Sequence, residues 1–211
     1  MSHKDEEIAG TPHRYFIVNK PYNMVSQFMS PDRVRLLSDL DFKFPPGTHA
    51  IGRLDNHSEG LLILTTNKKV TRLLFQGDVP HSRTYLVQVH GRVEERTREM
   101  LAAGIEIKIR TGVMYRTAPC IVQILAQPGY EFEPTELSFP FPPYTWLRIT
   151  LTEGKYHQVR KMVAKLHHKC QRLIRTSIEN LSLGNLPPGG IREIEEDSFF
   201  RQLCITNWKE E

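Results

Sequence analysis

The 211 residues are 39% hydrophobic and 25% charged with a formal net charge of +4, which fits one well-buried domain or two small lobes sharing a core and excludes a disordered chain. No run of about 18 apolar residues occurs and the opening MSHKDEEIAG is polar, so neither a membrane span nor a secretory signal is expected, and the expected compartment is the cytoplasm. Cys120, Cys170 and Cys204 are odd in number and form no CxxC pair, which argues against a disulfide framework or a zinc site and for buried, reduced thiols.

Residues 1–13 read as a disordered tail. Arg14 to Lys20 (RYFIVNK) is a predicted strand stopped by Pro21, followed by a connection with a modest helical pattern near Leu36 to Leu40. A polar loop bracketed by Gly52 and Gly60 precedes a continuous apolar strand at Leu61 to Thr65. Asn67 can cap a helix with Val70, Leu73 and Leu74 on one face, ending near Gly77. Tyr85, Val87 and Val89 alternate with Leu86, Gln88 and His90 as a strand, and Glu94 to Ala103 is a helix closed by Gly104. Two more strands are predicted around Ile105 to Ile109 and Cys120 to Ala126.

From Gln127 to Tyr144 five prolines imply an insertion with little regular structure. Trp146 to Thr152 alternates as a strand; a helix, a strand at Arg172 to Ile178 and an acidic end complete the chain. Residues 14–205 are expected to form one domain with two sub-lobes, and 206–211 a tail. The mixed order without a regular βαβ repeat predicts an α+β fold on a mixed, largely antiparallel sheet flanked by helices.

Charge is concentrated. Between Glu153 and Arg175 stand seven Lys or Arg against one acid, a local +6, while the remainder sums to −2. Polyanions respond to such local density, which points to nucleic acid. In EGKYHQVRKMVAKLHHK (Glu153 to Lys169), Val159, Met162, Val163 and Leu166 fall on one helical face and His157, Arg160, Lys161 and Lys165 on the other. A solvated surface face is the ordinary meaning of such a stripe. Here no Glu at i+4 neutralises it, and the turn after Gly154 would offer amides to a phosphate.

Arg53 beside Asp55 has an equally ordinary meaning, a salt bridge pinning a turn. Placed between a glycine and a buried strand, the carboxylate could instead be a nucleophile or base. Glu59 would be the second carboxylate of a glycosidase-like pair. A histidine metal site has no support, because His57 and His157 have no third ligand at useful spacing.

Taken together, HAIGRLDNHSEGLLILTTN, the RTY at Arg83 to Tyr85, EGKYHQVRKM and RLIRTSIENLSLGNLPPG, with NKP at Asn19 to Pro21, resemble the motifs of the RsuA-type pseudouridine synthases from about Tyr15 to Gly189. The resemblance implies that family's catalytic domain, a bent mixed sheet with helices around it. It implies Asp55 as the catalytic aspartate, Arg160 as the basic residue that pairs with it and Tyr85 as the residue stacking on the target uracil. No metal, redox cofactor or nucleotide is implied.

Arg53, Asn56, His57, Lys155, His157, Gln158, Lys161, Arg172 and Arg175 would then contact RNA. The family's S4 RNA-binding domain has no room ahead of the first strand, so the chain most resembles the branch acting on large-subunit (23S) ribosomal RNA without that module. Ribosomal RNA is the expected partner, no membrane is involved and a monomer is expected. A synthase acting on small-subunit RNA, a non-catalytic assembly factor that kept the fold, and a carboxylate glycosidase are the alternatives.

Overall fold

The computed structural model describes residues 12–75, 79–109, 112–126, 143–206 and 208–209. The predicted end of the first helix near Gly77 and most of the Pro-rich insertion lie outside them. The framework is a nine-stranded sheet in which β1 (Tyr15–Lys20), β2 (His49–Ile51), β3 (Glu59–Thr65), β4 (Arg83–His90), β7 (Ile121–Leu125), β8 (Tyr144–Leu151), β9 (Cys170–Ile178), β10 (Leu181–Ser182) and β11 (Ile191–Ile194) take part. Its order is β11-β1-β3-β9-β4-β8-β7, with β2 added to β3 and β10 to β9. A separate hairpin pairs β5 (Glu106–Lys108) with β6 (Met114–Arg116). The helices are α1 (Val70–Phe75), α2 (Glu95–Ala102), α3 (Gln158–Lys165) and α4 (Glu196–Gln202). This is the α+β class expected, mixed and mostly antiparallel.

The pairing of β3 decides where a cleft can open. Along one edge it pairs with all of β1, from Thr65↔Tyr15 to Gly60↔Lys20. The other edge is divided: β2 takes Ile63 to Thr65, and β9 takes only Glu59 and Gly60, in parallel. The sheet therefore forks beside β3, and residues 52–58, which connect β2 to β3, emerge at the fork. All seven residues of β3 are buried, which is why its sequence reads as a continuous apolar run instead of an alternating one.

Two lobes pack on the two sides of this fork. One core gathers Val87, Val89, Leu101, Leu147, Ile149, Met162 and Val163 from β4, α2, β8 and α3. Around β1 and β3, one face packs Tyr15, Ile17, Leu61, Ile63, Phe199 and Phe200, and the other Phe16, Val18, Leu37, Leu62 and Leu64. The acidic end contains β11 and α4: Tyr15 stacks on Phe199 at 4.5 Å, and Glu195 caps α4 by accepting from the amides of Asp197 and Ser198. β6, β10 and β11 are short strands that the sequence pattern did not single out. Cys204 is exposed, whereas Cys120 and Cys170 are partly buried and all three thiols are free.

Candidate active site

Residues 52–58 are anchored from three directions. Gly52 has a φ of +68°, and a Cβ there would stand 3.0 Å from the Phe75 ring. Leu54 donates its amide to Ser26 Oγ at 3.0 Å while the Ser26 hydroxyl donates back to the Leu54 carbonyl at 2.9 Å. The Ser58 amide closes a turn on the Asp55 carbonyl at 3.0 Å. Asp55 is left with a side chain 38% exposed at the mouth of the fork.

Beneath the loop lies Lys20, fully buried. Its ammonium donates to the carbonyls of Met24 at 2.6 Å, Pro21 at 2.8 Å and Asn56 at 3.4 Å. Burial pulls its pKa down to about 7, against the opposing pull of Glu59 and Asp55. Lys20 thus ties the first strand to the backbone immediately after Asp55.

The floor comes from β9. Gly60 has a φ of +97°, and a Cβ there would collide with the Arg175 carbonyl oxygen and come within 2.8 Å of its amide nitrogen; only glycine allows β3 this close. Arg175 is buried, donates Nε to the Leu61 carbonyl at 2.8 Å, and its Nη2 has no hydrogen-bond partner among the described residues. Its cross-strand neighbour is Tyr85, at a register shift between Thr84 and Tyr85 that re-aims the side chains. Burial lowers the Arg175 pKa, and Tyr85 partly restores it.

On the far side, residues 153–157 form a loop and not the first turn of the predicted helix, which begins only at Gln158. Glu153 organises that loop, accepting from Tyr115 Oη, from the Ala118 amide at 3.0 Å and from Gln158 Nε2 at 2.7 Å. Gln158 Oε1 in turn accepts the Lys155 amide at 2.8 Å. His157, at the helix entrance, has a left-handed φ of 55°, an uncommon conformation for a non-glycine residue. It brings Nε2 to 3.4 Å from Asp55 Oδ1.

These walls enclose a cleft of about 790 Å³ whose lining includes Arg53, Asp55, Tyr85, Lys155, His157, Gln158 and Arg175. Two of the roles read from sequence meet a different geometry. Arg160 does not pair with Asp55: its Nη2 donates to the His57 carbonyl at 2.6 Å and reaches Ser58 Oγ at 3.4 Å, so it holds the loop. Arg172 is buried in a two-bond grip on Glu59, both at 2.7 Å, and is no surface contact for a phosphate. Gln158 and Arg175 are also buried, the first engaged with Glu153 and the Lys155 amide, and both line the cleft.

Arg53, His57 and Lys155 are exposed, and His157, Asn56 and Lys161 are partly so. Asn56 bonds Asn23 at 3.0 Å. Sequence reasoning gave no role to Lys20, Phe75, His81 or Arg83, although the NKP and RTY motifs contain the first and the last; Phe75, His81 and Arg83 line the cleft. Glu59 is committed to Arg172, so a glycosidase-like carboxylate pair has lost its second member. Among the described residues there is no group of three His, Cys, Asp or Glu placed to hold a metal, and no helix long and apolar enough to cross a membrane.

Residues 14–165 match the family model described as RNA pseudouridylate synthase. The chain is 37% identical to the "Ribosomal large subunit pseudouridine synthase E" of Vibrio parahaemolyticus over 86% of its own length and 74% of the relative's. It is 29% identical to the "Ribosomal small subunit pseudouridine synthase A" of Escherichia coli K12, over 87% and 71%. A solved structure titled "Crystal structure of pseudouridylate synthase" superposes with a TM-score of 0.73 at 27% identity, covering 91% of this chain and 74% of that one. With the family model spanning most of the sequence and a loop, strand and cleft built around the motif that carries Asp55, the chain belongs to the RNA pseudouridylate synthase family.

Proposed function

We propose that this chain isomerises a specific uridine of large-subunit ribosomal RNA to pseudouridine, acting in the cytoplasm as a monomer and with Asp55 as the catalytic carboxylate. The observation that carries the reading is the convergence of Asp55, Tyr85 and Arg175 on one cleft. The large-subunit target rests on the names of the more similar relatives.

A uridine inside folded RNA must first be extruded, at about a few kcal/mol. Tyr85 receives the flipped base by stacking, which returns roughly 1–3 kcal/mol. Asp55 attacks the ribose C1′, or drives loss of the base from it, so that the C1′–N1 bond breaks. The uracil turns within the cleft and its C5 bonds to C1′, displacing the Asp55 carboxylate where that had attached, and the C5 proton leaves while N1 gains one. Arg175 takes the place that sequence reasoning gave to Arg160: a buried guanidinium on the cleft wall, its Nη2 without a partner among the described residues, is suited to stabilise negative charge as it develops.

The test is tritium release from large-subunit ribosomal RNA labelled at C5 of uridine. Wild type is expected to release tritium and Asp55→Asn to retain RNA affinity while losing at least about a thousandfold in turnover. Release from small-subunit RNA alone would move the target. Absence of release from either RNA and from subunit particles would leave a binding factor as the better reading.

A further inference from the structure

Two tyrosine–histidine stacks stand near Asp55, one in contact with it and one carried by its own loop. Tyr156 lies on His157 with ring centroids 3.9 Å apart and planes 17° from parallel. Tyr22 lies against His57 at 5.2 Å and 22°. One stack touches Asp55 directly, through His157 Nε2 at 3.4 Å. The other is carried by the residue two positions after Asp55. Arg160, three residues beyond His157 on α3, donates to the His57 carbonyl at 2.6 Å, so both stacks are held in one frame.

Their outer members face solvent. Tyr156 is 53% exposed, and His57 is exposed as well. The Lys161 ammonium lies over the Tyr156 ring, 5.1 Å from its centroid, so a base that stacks there has to displace this cation from the ring.

We propose that Tyr156 on His157 and His57 on Tyr22 are base-stacking platforms for the nucleotides flanking the target uridine. They grip the two unstacked neighbours while the uridine enters the cleft at Asp55. This inference rests on the uridine-isomerising reading above. Extrusion of one nucleotide leaves its neighbours without a stacking partner, and planar surfaces placed beside the cleft restore that stacking without reading the identity of the base.

The experiment uses the full chain and a large-subunit RNA fragment carrying the uridine at which tritium release is mapped. A second fragment has abasic riboses at the two flanking positions. On the intact fragment Tyr156→Ala is expected to raise KM about tenfold with kcat little changed, and Tyr156→Phe to stay within about twofold of wild type. On the abasic fragment wild type itself should show the raised KM, and Tyr156→Ala should add less than about twofold. Tyr22→Ala should behave in parallel. An equal loss on both fragments would overturn the platforms, since it would mean that the tyrosines act through the fold and not through the bases. Tritium release by wild type from neither ribosomal RNA would remove the underlying reading, an outcome separate from a wild type that is active but indifferent to the flanking bases, which overturns the platforms alone.

Discussion

The Arg172 guanidinium holds the Glu59 carboxylate in two parallel bonds of 2.7 Å, both side chains buried, at the point where β3 and β9 meet in parallel. The pair braces the short seam between the two lobes, and the loop carrying Asp55 ends at the residue before Glu59. Removing one partner strands a buried charge, which costs about 3–5 kcal/mol. Glu59→Ala is therefore expected to lower the unfolding free energy by that amount in urea denaturation. The double variant Glu59→Leu with Arg172→Met should be the more stable of the two, because no charge is left uncompensated. A Glu59→Ala loss below about 1 kcal/mol would show that the pair does not brace the seam.

Lys20 makes a different demand on the fold. Its pKa falls to about 7 on burial, against about 10.4 for a lysine in an unfolded chain. Between those values the unfolded state binds more protons, so this group's contribution to stability rises with pH, by up to about 1.4 kcal/mol per unit. Below pH 7 both states are charged and the full burial penalty applies. Lys20→Met removes this dependence and also frees the Asn56 carbonyl from its clamp. The stability gap between wild type and variant, measured in urea at pH 7 and pH 9, should shift in favour of wild type at the higher pH. A gap that stays level would place the ionisation of Lys20 outside that window. Turnover by the variant should fall more than its RNA affinity does, since the clamp positions the loop and touches no phosphate.

Arg160 and Arg175 separate cleanly in the structure, and their variants should too. Arg175→Lys keeps a positive charge but loses the planar fork that spans the Leu61 carbonyl and the cleft. A loss of about 100-fold or more in kcat with little change in RNA affinity is expected. Arg160→Ala removes the bond to the His57 carbonyl and loosens the loop; its kcat should fall by only about tenfold. Single-turnover kinetics on labelled RNA measure both. The reverse ranking would restore the pairing of Arg160 with Asp55.

How much of this was legible beforehand follows from the range of each interaction. The buried run of β3, the strand of Tyr85 and the apolar face of α3 depend on local periodicity, and sequence pattern displayed all three. Gly52 and Gly60 were visible as brackets, although the reason for Gly60 lies in the backbone of Arg175, 115 residues away. The roles of the arginines could not be read from charge. Arg172 and Arg175 look like the surface cations of a basic segment, yet β9 sits between β3 and β4 in the sheet, which buries both. Residues 153–157 match a helical period, but Gln158 and Glu153 bond the backbone and one another into a loop there. Lys20 gave no periodic signal at all, because its partners are carbonyl groups. The strands and helix of the acidic end escaped because their polar residues conceal a few deeply buried ones, Phe199 and Phe200 above all.

The cationic face of α3 makes the remaining prediction, about affinity instead of chemistry. Lys165 is exposed, Lys161 is partly so, and no acid follows them within the helix. Each phosphate contact on single-stranded RNA contributes about 0.7 to the dependence of log K on log salt. Lys161→Ala with Lys165→Ala should therefore make the slope shallower by about 1.4, weaken binding most at low salt, and leave kcat on saturating RNA close to wild type. Anisotropy titrations of labelled ribosomal RNA fragments across about 50–200 mM salt read the slope directly. An unchanged slope would mean that both ammonium groups stay hydrated in the complex, and that α3 meets the RNA only through its N-terminal end at His157.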